Sequence, residues 1–323
     1  MKNLSFNPFL HYSEQLQALL TKAAGHDNPA LWLYKNDARA PLFMLEALTR
    51  LHNKAFDEKL FDKWNKRFKK LEDLFGQIDL YDSLGTEFKK NKKIPKDVIK
   101  YFTVNAANYT EKCNQRLREK DWLSDKMKSF NYKLSEFAVE YNKEYADELK
   151  FSMTDEVDAI LNFGLKYNYE FTKVEEQVHE LRRKLRWISI YAQALQGIVQ
   201  LKKSAKNKKT EINYLTKETL ASPFNKLPVQ PKNVSVIEFD HNSFFALSWL
   251  INQLGSLKDS ALKVQLLKDA LYISENVTEE EAIEKAHSLL GYKKTLEADV
   301  LKEASQLLKT SIVKDKILDH LIL

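Results

Sequence analysis

Val178–Lys203 reads VHELRRKLRWISIYAQALQGIVQLKK, and the way this stretch coils decides the fold. At about 100° per residue, Leu181, Leu185, Ile188, Ala192, Leu195 and Val199 fall on one side, the stripe of a helix packed into a core. A second stripe begins at His179 and takes in Arg182, Arg183 and Arg186 at positions i+3, i+4 and i+7. Ser189, Gln193, Gln196, Gln200 and Lys203 continue the same polar flank. The first two turns therefore set three guanidiniums and an imidazole side by side. Guanidiniums this close repel one another unless water, carboxylates or a polyanion lies between them, and their planar forks match phosphate oxygens two at a time. The face is either an anion site or a solvated basic surface.

Working outward, the rest of the chain is also written for helices. Glycine and proline number seven each in 323 residues, where average usage gives roughly 23 and 16. Hairpin-rich β architecture does not fit that shortage, so the expected class is all-α. The single cysteine, Cys113, excludes an internal disulfide and fits a reducing compartment. No apolar run resembles a signal peptide or a membrane span, which predicts a soluble, cytoplasmic protein without a membrane partner. The net charge of +6 is modest, but its distribution is uneven. Cations gather at Lys63, Lys66, Arg67, Lys69 and Lys70, at Lys89, Lys90, Lys92, Lys93 and Lys96, and at Lys202, Lys203, Lys206, Lys208 and Lys209. Each group taken singly reads as a solvated face.

Periodicity and capping residues predict helices over 13–24, from Asn36 or Asp37 to Asn53, from Asp57 to Leu84, and from Pro95 to Arg118. One long helix is expected from Trp122 to Phe151, carrying Phe130, Leu134, Phe137 and Tyr141, with Thr154 or Asp155 capping the next. The pattern fails over 204–239, where Pro223, Pro228 and Pro231 mark a loop that could serve as a lid. Helices resume over Asp240–Leu254, Lys258–Tyr272, Thr278–Leu290 and Leu296–Leu323, with Thr278 and Glu281 forming a capping box.

The two halves echo each other. Asn36-x-x-Arg39-x-x-Leu42-x-x-Leu45 overlays His179-x-x-Arg182-x-x-Leu185-x-x-Ile188 at a constant offset of 143 residues. Leu71-x-x-x-Phe75-Gly76-x-Ile78 overlays Leu250-x-x-x-Leu254-Gly255-x-Leu257 in the same order. The pairing points to a duplicated helical unit, two pseudo-symmetric halves packed around a central basic groove.

With its His179-Glu180-Leu181-Arg182 opening and the glycine-centred patterns of Leu71–Asp79 and Leu250–Asp259, the chain from about residue 30 resembles the conserved histidine α-helical (CHAD) domain family. The resemblance implies two four-helix bundles and a basic cavity that binds inorganic polyphosphate without catalysis. It divides the chain into an N-terminal helical extension over 1–29, a first repeat over 30–151 and a second over 152–323. The polyphosphate-binding residues it implies are His179, Arg182 and Arg186, with Arg183, Lys184 and Lys203 as further cations. Arg39 and Asn36 stand at the matching places of the first repeat, where Asn36 replaces the histidine and Phe43 a basic position. That half would be less cationic.

Catalytic signatures are thin. His11, His26, His52, His179, His241, His287 and His320 have no close ligand spacing, and no phosphate-loop, dinucleotide or Gly-x-Ser-x-Gly pattern occurs. The expectation is therefore a non-enzyme without a cofactor. The competing expectation is a helical scaffold for a protein partner; nucleic-acid binding ranks below both, because no aromatic-interleaved basic patch occurs.

Overall fold

Asn7 starts the first helix by accepting the backbone N–H groups of Phe9 and Leu10 on its side chain, with Pro8 at the first helical position, so α1 runs Pro8–Ala23 and begins earlier than the spacing of its leucines predicts. The computed structural model describes residues 6–56, 59–136, 140–203 and 214–323. Asn28 caps α2, Pro29–Lys35, in the same way. Asn36 then closes α2, its side chain donating to Trp32 O at 2.8 Å, and Asp37 takes a left-handed φ of 55°. Neither caps the next helix from within, as their sequence context suggested. That helix, α3, runs Arg39–Phe56.

Next come α4, Lys59–Phe88, and α5, Lys96–Glu119, close to the predicted spans; Asp57, expected to open α4, lies outside the described residues. The long helix expected over Trp122–Phe151 is instead two. Helix α6 is Lys126–Glu136, and α7, Lys143–Lys166, starts afresh where Asn142 Oδ1 accepts the Tyr145 N–H at 3.0 Å. Thr154 lies inside α7 and hydrogen-bonds back to Lys150 O, so it caps nothing. Phe137 is outside the described residues.

The opening stretch is helical only in part. A wide π-turn over Val174–His179 feeds α8, Glu180–Ala194, whose Leu181, Leu185, Ile188 and Ala192 are fully buried. At Gln196 and Gly197 the backbone turns left-handed, with φ of 49° and 96°. A β-carbon on Gly197 would stand 2.3 Å from Val229 O, so only glycine fits this close approach. Beyond it the chain forms β1, Val199–Lys202, which pairs in parallel with β2, Ile237–Asp240, from Val199 opposite Ile237 to Lys202 opposite Asp240. The architecture is thus mostly helical with one small parallel sheet, which the all-α expectation did not include. Val199, Gln200 and Lys203 leave the helical face on which periodicity placed them.

Between the strands, α9 is Lys217–Ala221; residues 204–213, including Lys206, Lys208 and Lys209, lie outside the described part. The two helices expected over Asp240–Leu254 and Lys258–Tyr272 are one, α10, His241–Glu275. Helix α11, Glu279–Leu290, carries the predicted Thr278–Glu281 capping box and ends at left-handed Gly291. Helix α12, Leu296–Leu308, widens into a π-turn over Lys309–Lys314.

Contacts group the chain into two units, neither continuous in sequence. The first comprises Met1–Arg50, Glu58–Ala138 and Leu262–Lys294 in their described parts. Its core is aromatic: Phe9 stacks on Phe61 at 5.5 Å, and Trp64 and Phe68 meet Phe130 edge-on at 4.8 and 5.3 Å. The second comprises Leu51–Asp57, Val139–Ala261 and Thr295–Leu323, in their described parts. It centres on the apolar stripe of α8, the strands, and Phe244, Leu247 and Leu250 of α10.

Candidate functional site

Arg39 and Arg182, which the sequence overlay pairs, both lie against a helix at its glycine, but in different electrostatic company. At the start of α3, Arg39 reaches α4 within the first unit. Its Nε donates to Glu72 Oε1 at 2.7 Å and its Nη1 to Asp79 Oδ2 at 3.0 Å. A β-carbon on Gly76 would stand 3.0 Å from Arg39 Nη2, so the bare helix lets the guanidinium come this close. Phe43, where the resemblance expected a base, packs its ring 5.1 Å from the guanidinium. Acids crowd the surroundings. Tyr34 OH donates to Asp82 at 3.1 Å and Asp79 at 3.4 Å, and burial together with those two carboxylates pushes its phenol well above the usual range. Buried Glu46 is pushed up to about 7, first by burial and then by the charge of Glu72.

In the second unit, Arg182 projects from the first turn of α8 onto α10. Its Nε donates to the backbone carbonyl of Ile251 at 3.1 Å, and its Nη2 would lie 2.9 Å from a β-carbon on Gly255. Half-buried, it has no carboxylate within 4.0 Å among the described residues. Burial holds its guanidinium below the ordinary arginine value, and the charge of Asp259 only partly opposes this. Asp259 pairs instead with Lys258, Nζ to Oδ1 3.1 Å.

His179, the last residue of the π-turn, lies beside this pair. Its Nε2 is 3.7 Å from Glu175 Oε1, and its Nδ1 is buried with no hydrogen-bond partner among the described residues. Its pKa is lowered, chiefly by burial, with Glu175 pulling the other way and Lys258, Arg182 and Arg183 adding to the depression. An imidazole ordinarily gains its charge just below neutral pH, and here that gain is displaced to lower pH.

The remaining sequence-derived residues are placed as follows. Arg183 is exposed and grips Glu180 Oε2 through Nη2 at 2.8 Å and Nε at 2.9 Å. Half-buried Lys184 lies 3.6 Å from Glu180 Oε1 and 5.7 Å from the Phe163 ring centre. Arg186 is exposed on α8, and Lys203 is exposed past the end of β1. Asn36 is spent on closing α2. His179, Arg182 and Arg183 are thus gathered with Lys258, whereas Asn36 and Lys203 occupy other elements. Lys258 was not among the predicted site residues, although it lies inside the quoted motif Leu250–Asp259. The role of Gly76 and Gly255 as seats for arginines was equally hidden, because spacing along a helix does not say which neighbour approaches it.

Family models, curated proteins and solved structures offer no match to this chain, so the CHAD resemblance stands on its short motifs alone. Among the described residues no three His, Cys, Asp or Glu side chains converge as metal ligands, and no helix is long and apolar enough to cross a membrane.

Proposed function

We propose that this chain is a non-catalytic binding protein for inorganic polyphosphate or a similar phosphate-rich anion, received on the α8–α10 surface of the second unit. The observation that carries the reading is the contrast between two overlaid arginines. Arg39 has two carboxylates, whereas half-buried Arg182 has none within ion-pair range among the described residues. Taking a guanidinium partly out of water without a counter-charge is costly, and a phosphate oxygen would supply both the charge and the charge-assisted hydrogen bonds. Lys258 and the ring of His179 flank the place, with Arg183, Lys184 and Arg186 further along α8. Duplication of one helical unit accounts for the parallel seating of Arg39 on Gly76 and Arg182 on Gly255. With Arg39 neutralised by its own unit, the first repeat adds little to anion binding. The single reduced cysteine, buried Cys113, fits a cytoplasmic setting.

The second reading, a helical scaffold for a protein partner, is favoured by the acid-saturated surroundings of Arg39 and the self-pairing of Arg183 with Glu180. Calorimetric titration with long-chain polyphosphate at two salt concentrations separates the two. Polyanion binding predicts saturation at low salt and a steep loss of affinity as salt rises. Arg182→Ala with Arg186→Ala should weaken it far more than replacing Lys202 and Lys203. Absence of saturable binding at low salt leaves the scaffold reading.

A further inference from the structure

Arg67 of α4, Arg116 of α5 and Lys126 at the start of α6 are each half-buried in the first unit. Among the described residues, none of these three cationic groups has a side-chain hydrogen bond or a carboxylate within 4.0 Å, although neighbouring surface lysines do: Lys66 pairs with Asp62, Lys69 with Asp73 and Lys128 with Asp125. The Arg67 guanidinium lies over the ring of fully buried Trp64, 4.5 Å from its centre, so it is held against the aromatic core. The Nε of Arg116 is itself buried and has no partner. The three act on one another. Arg116 adds to the burial that lowers the Arg67 pKa, and Lys126 is lowered by burial first, then by Arg67, Lys120 and Arg116, with only Asp121 opposing.

Three cations brought together on three helices, partly dehydrated and with no carboxylate within 4.0 Å among the described residues, leave positive charge that a bound anion would complete. We infer that Arg67, Arg116 and Lys126 form a second anion site, for a compact, multiply charged oxyanion of the pyrophosphate class. Two forked guanidiniums and one ammonium near enough to act on one another suit an anion offering several oxygens in a small volume. The inference is independent of the α8 reading, since it concerns other residues in the other unit.

The test is calorimetry and thermal unfolding of the full chain with inorganic pyrophosphate, against sodium chloride at matched ionic strength. Wild-type protein should bind pyrophosphate saturably and unfold at a higher temperature in its presence, beyond any effect of chloride. Arg116→Gln with Lys126→Gln should lower the affinity about tenfold or more, while Arg182→Gln leaves this binding within about twofold. Should the double variant fail to fold by circular dichroism, Lys126→Gln alone carries the test and must reduce the pyrophosphate-dependent gain. Equal stabilisation by chloride, or unchanged affinity in the variant that folds, overturns the proposal.

Discussion

The guanidinium of Arg182 lies against Gly255, with Nη2 2.9 Å and Nε 3.0 Å from the place a β-carbon would occupy. Alanine in mid-helix ordinarily stabilises by about 0.5–1 kcal/mol over glycine. Here the methyl would push a flexible side-chain end off its seat and break the bond to Ile251 O, worth about 1 kcal/mol. Gly255→Ala is therefore expected to leave stability within about 1 kcal/mol and to weaken polyphosphate binding. Gly164→Ala differs, because its methyl would fall 2.1 Å from the ring of buried Tyr169; a loss of about 2 kcal/mol or more is expected in urea denaturation.

The two overlaid arginines should respond unequally to removal. Arg39→Met strands Glu72, whose side chain is only 8% exposed, and is expected to cost about 3 kcal/mol. Arg182→Met gives up the bond to Ile251 O but also removes a half-buried charge that has no carboxylate partner, so its effect on stability should stay within about 1 kcal/mol. The titration with polyphosphate should show the reverse order, with the larger loss at Arg182. Equal destabilisation by the two would mean that Arg182 has an ion pair in solution.

Stability should also fall across the weakly acidic range. Burial, then Glu72, raises the Glu46 carboxyl from 4.5 to about 7 in the folded state. The folded protein thus binds this proton more tightly than the unfolded chain does, and the associated stability is complete below the ordinary carboxylate range and lost as pH rises toward 7. Glu46→Gln is expected to be more stable than wild type at about pH 8, by on the order of 2 kcal/mol, and nearly equal to it at about pH 5. Urea midpoints at the two pH values measure the difference.

His179 has the opposite linkage. Its folded-state pKa is lowered, chiefly by burial, so the unfolded chain takes up a proton first and stability drops as pH falls through the ordinary imidazole range. In an NMR titration the His179 ring should therefore titrate below 6.5, and bound polyphosphate should shift the midpoint upward by favouring the charged ring. A midpoint indifferent to polyphosphate would separate His179 from the proposed site.

Local chemistry was readable wherever side chain and backbone meet within a few residues. The helical class followed from the scarcity of glycine and proline, the capping box from Thr278 and Glu281, and the buried stripe of α8 from the spacing of Leu181, Leu185, Ile188 and Ala192. The breaks were less legible. Gly255 looked like the end of a helix but lies inside α10, where Arg182 packs against its bare backbone. The stretch after Ala194 continued the helical spacing but forms a strand, because Gly197 turns left-handed under Val229 and Ile237 offers a parallel partner to Val199.

Sequence by itself determined which arginines and glycines recur in the two halves, since a repeated motif is a property of order along the chain. Only the tertiary structure decided their chemistry. Whether a guanidinium is neutralised depends on which carboxylates other helices bring within a few ångströms, and Glu72 and Asp79 reach Arg39 while Asp259 turns from Arg182 to Lys258. The same holds for Arg67, Arg116 and Lys126, which are far apart in sequence and become one electrostatic problem only when α4, α5 and α6 fold together. Charge is written residue by residue, but the field it produces depends on distances that folding alone sets.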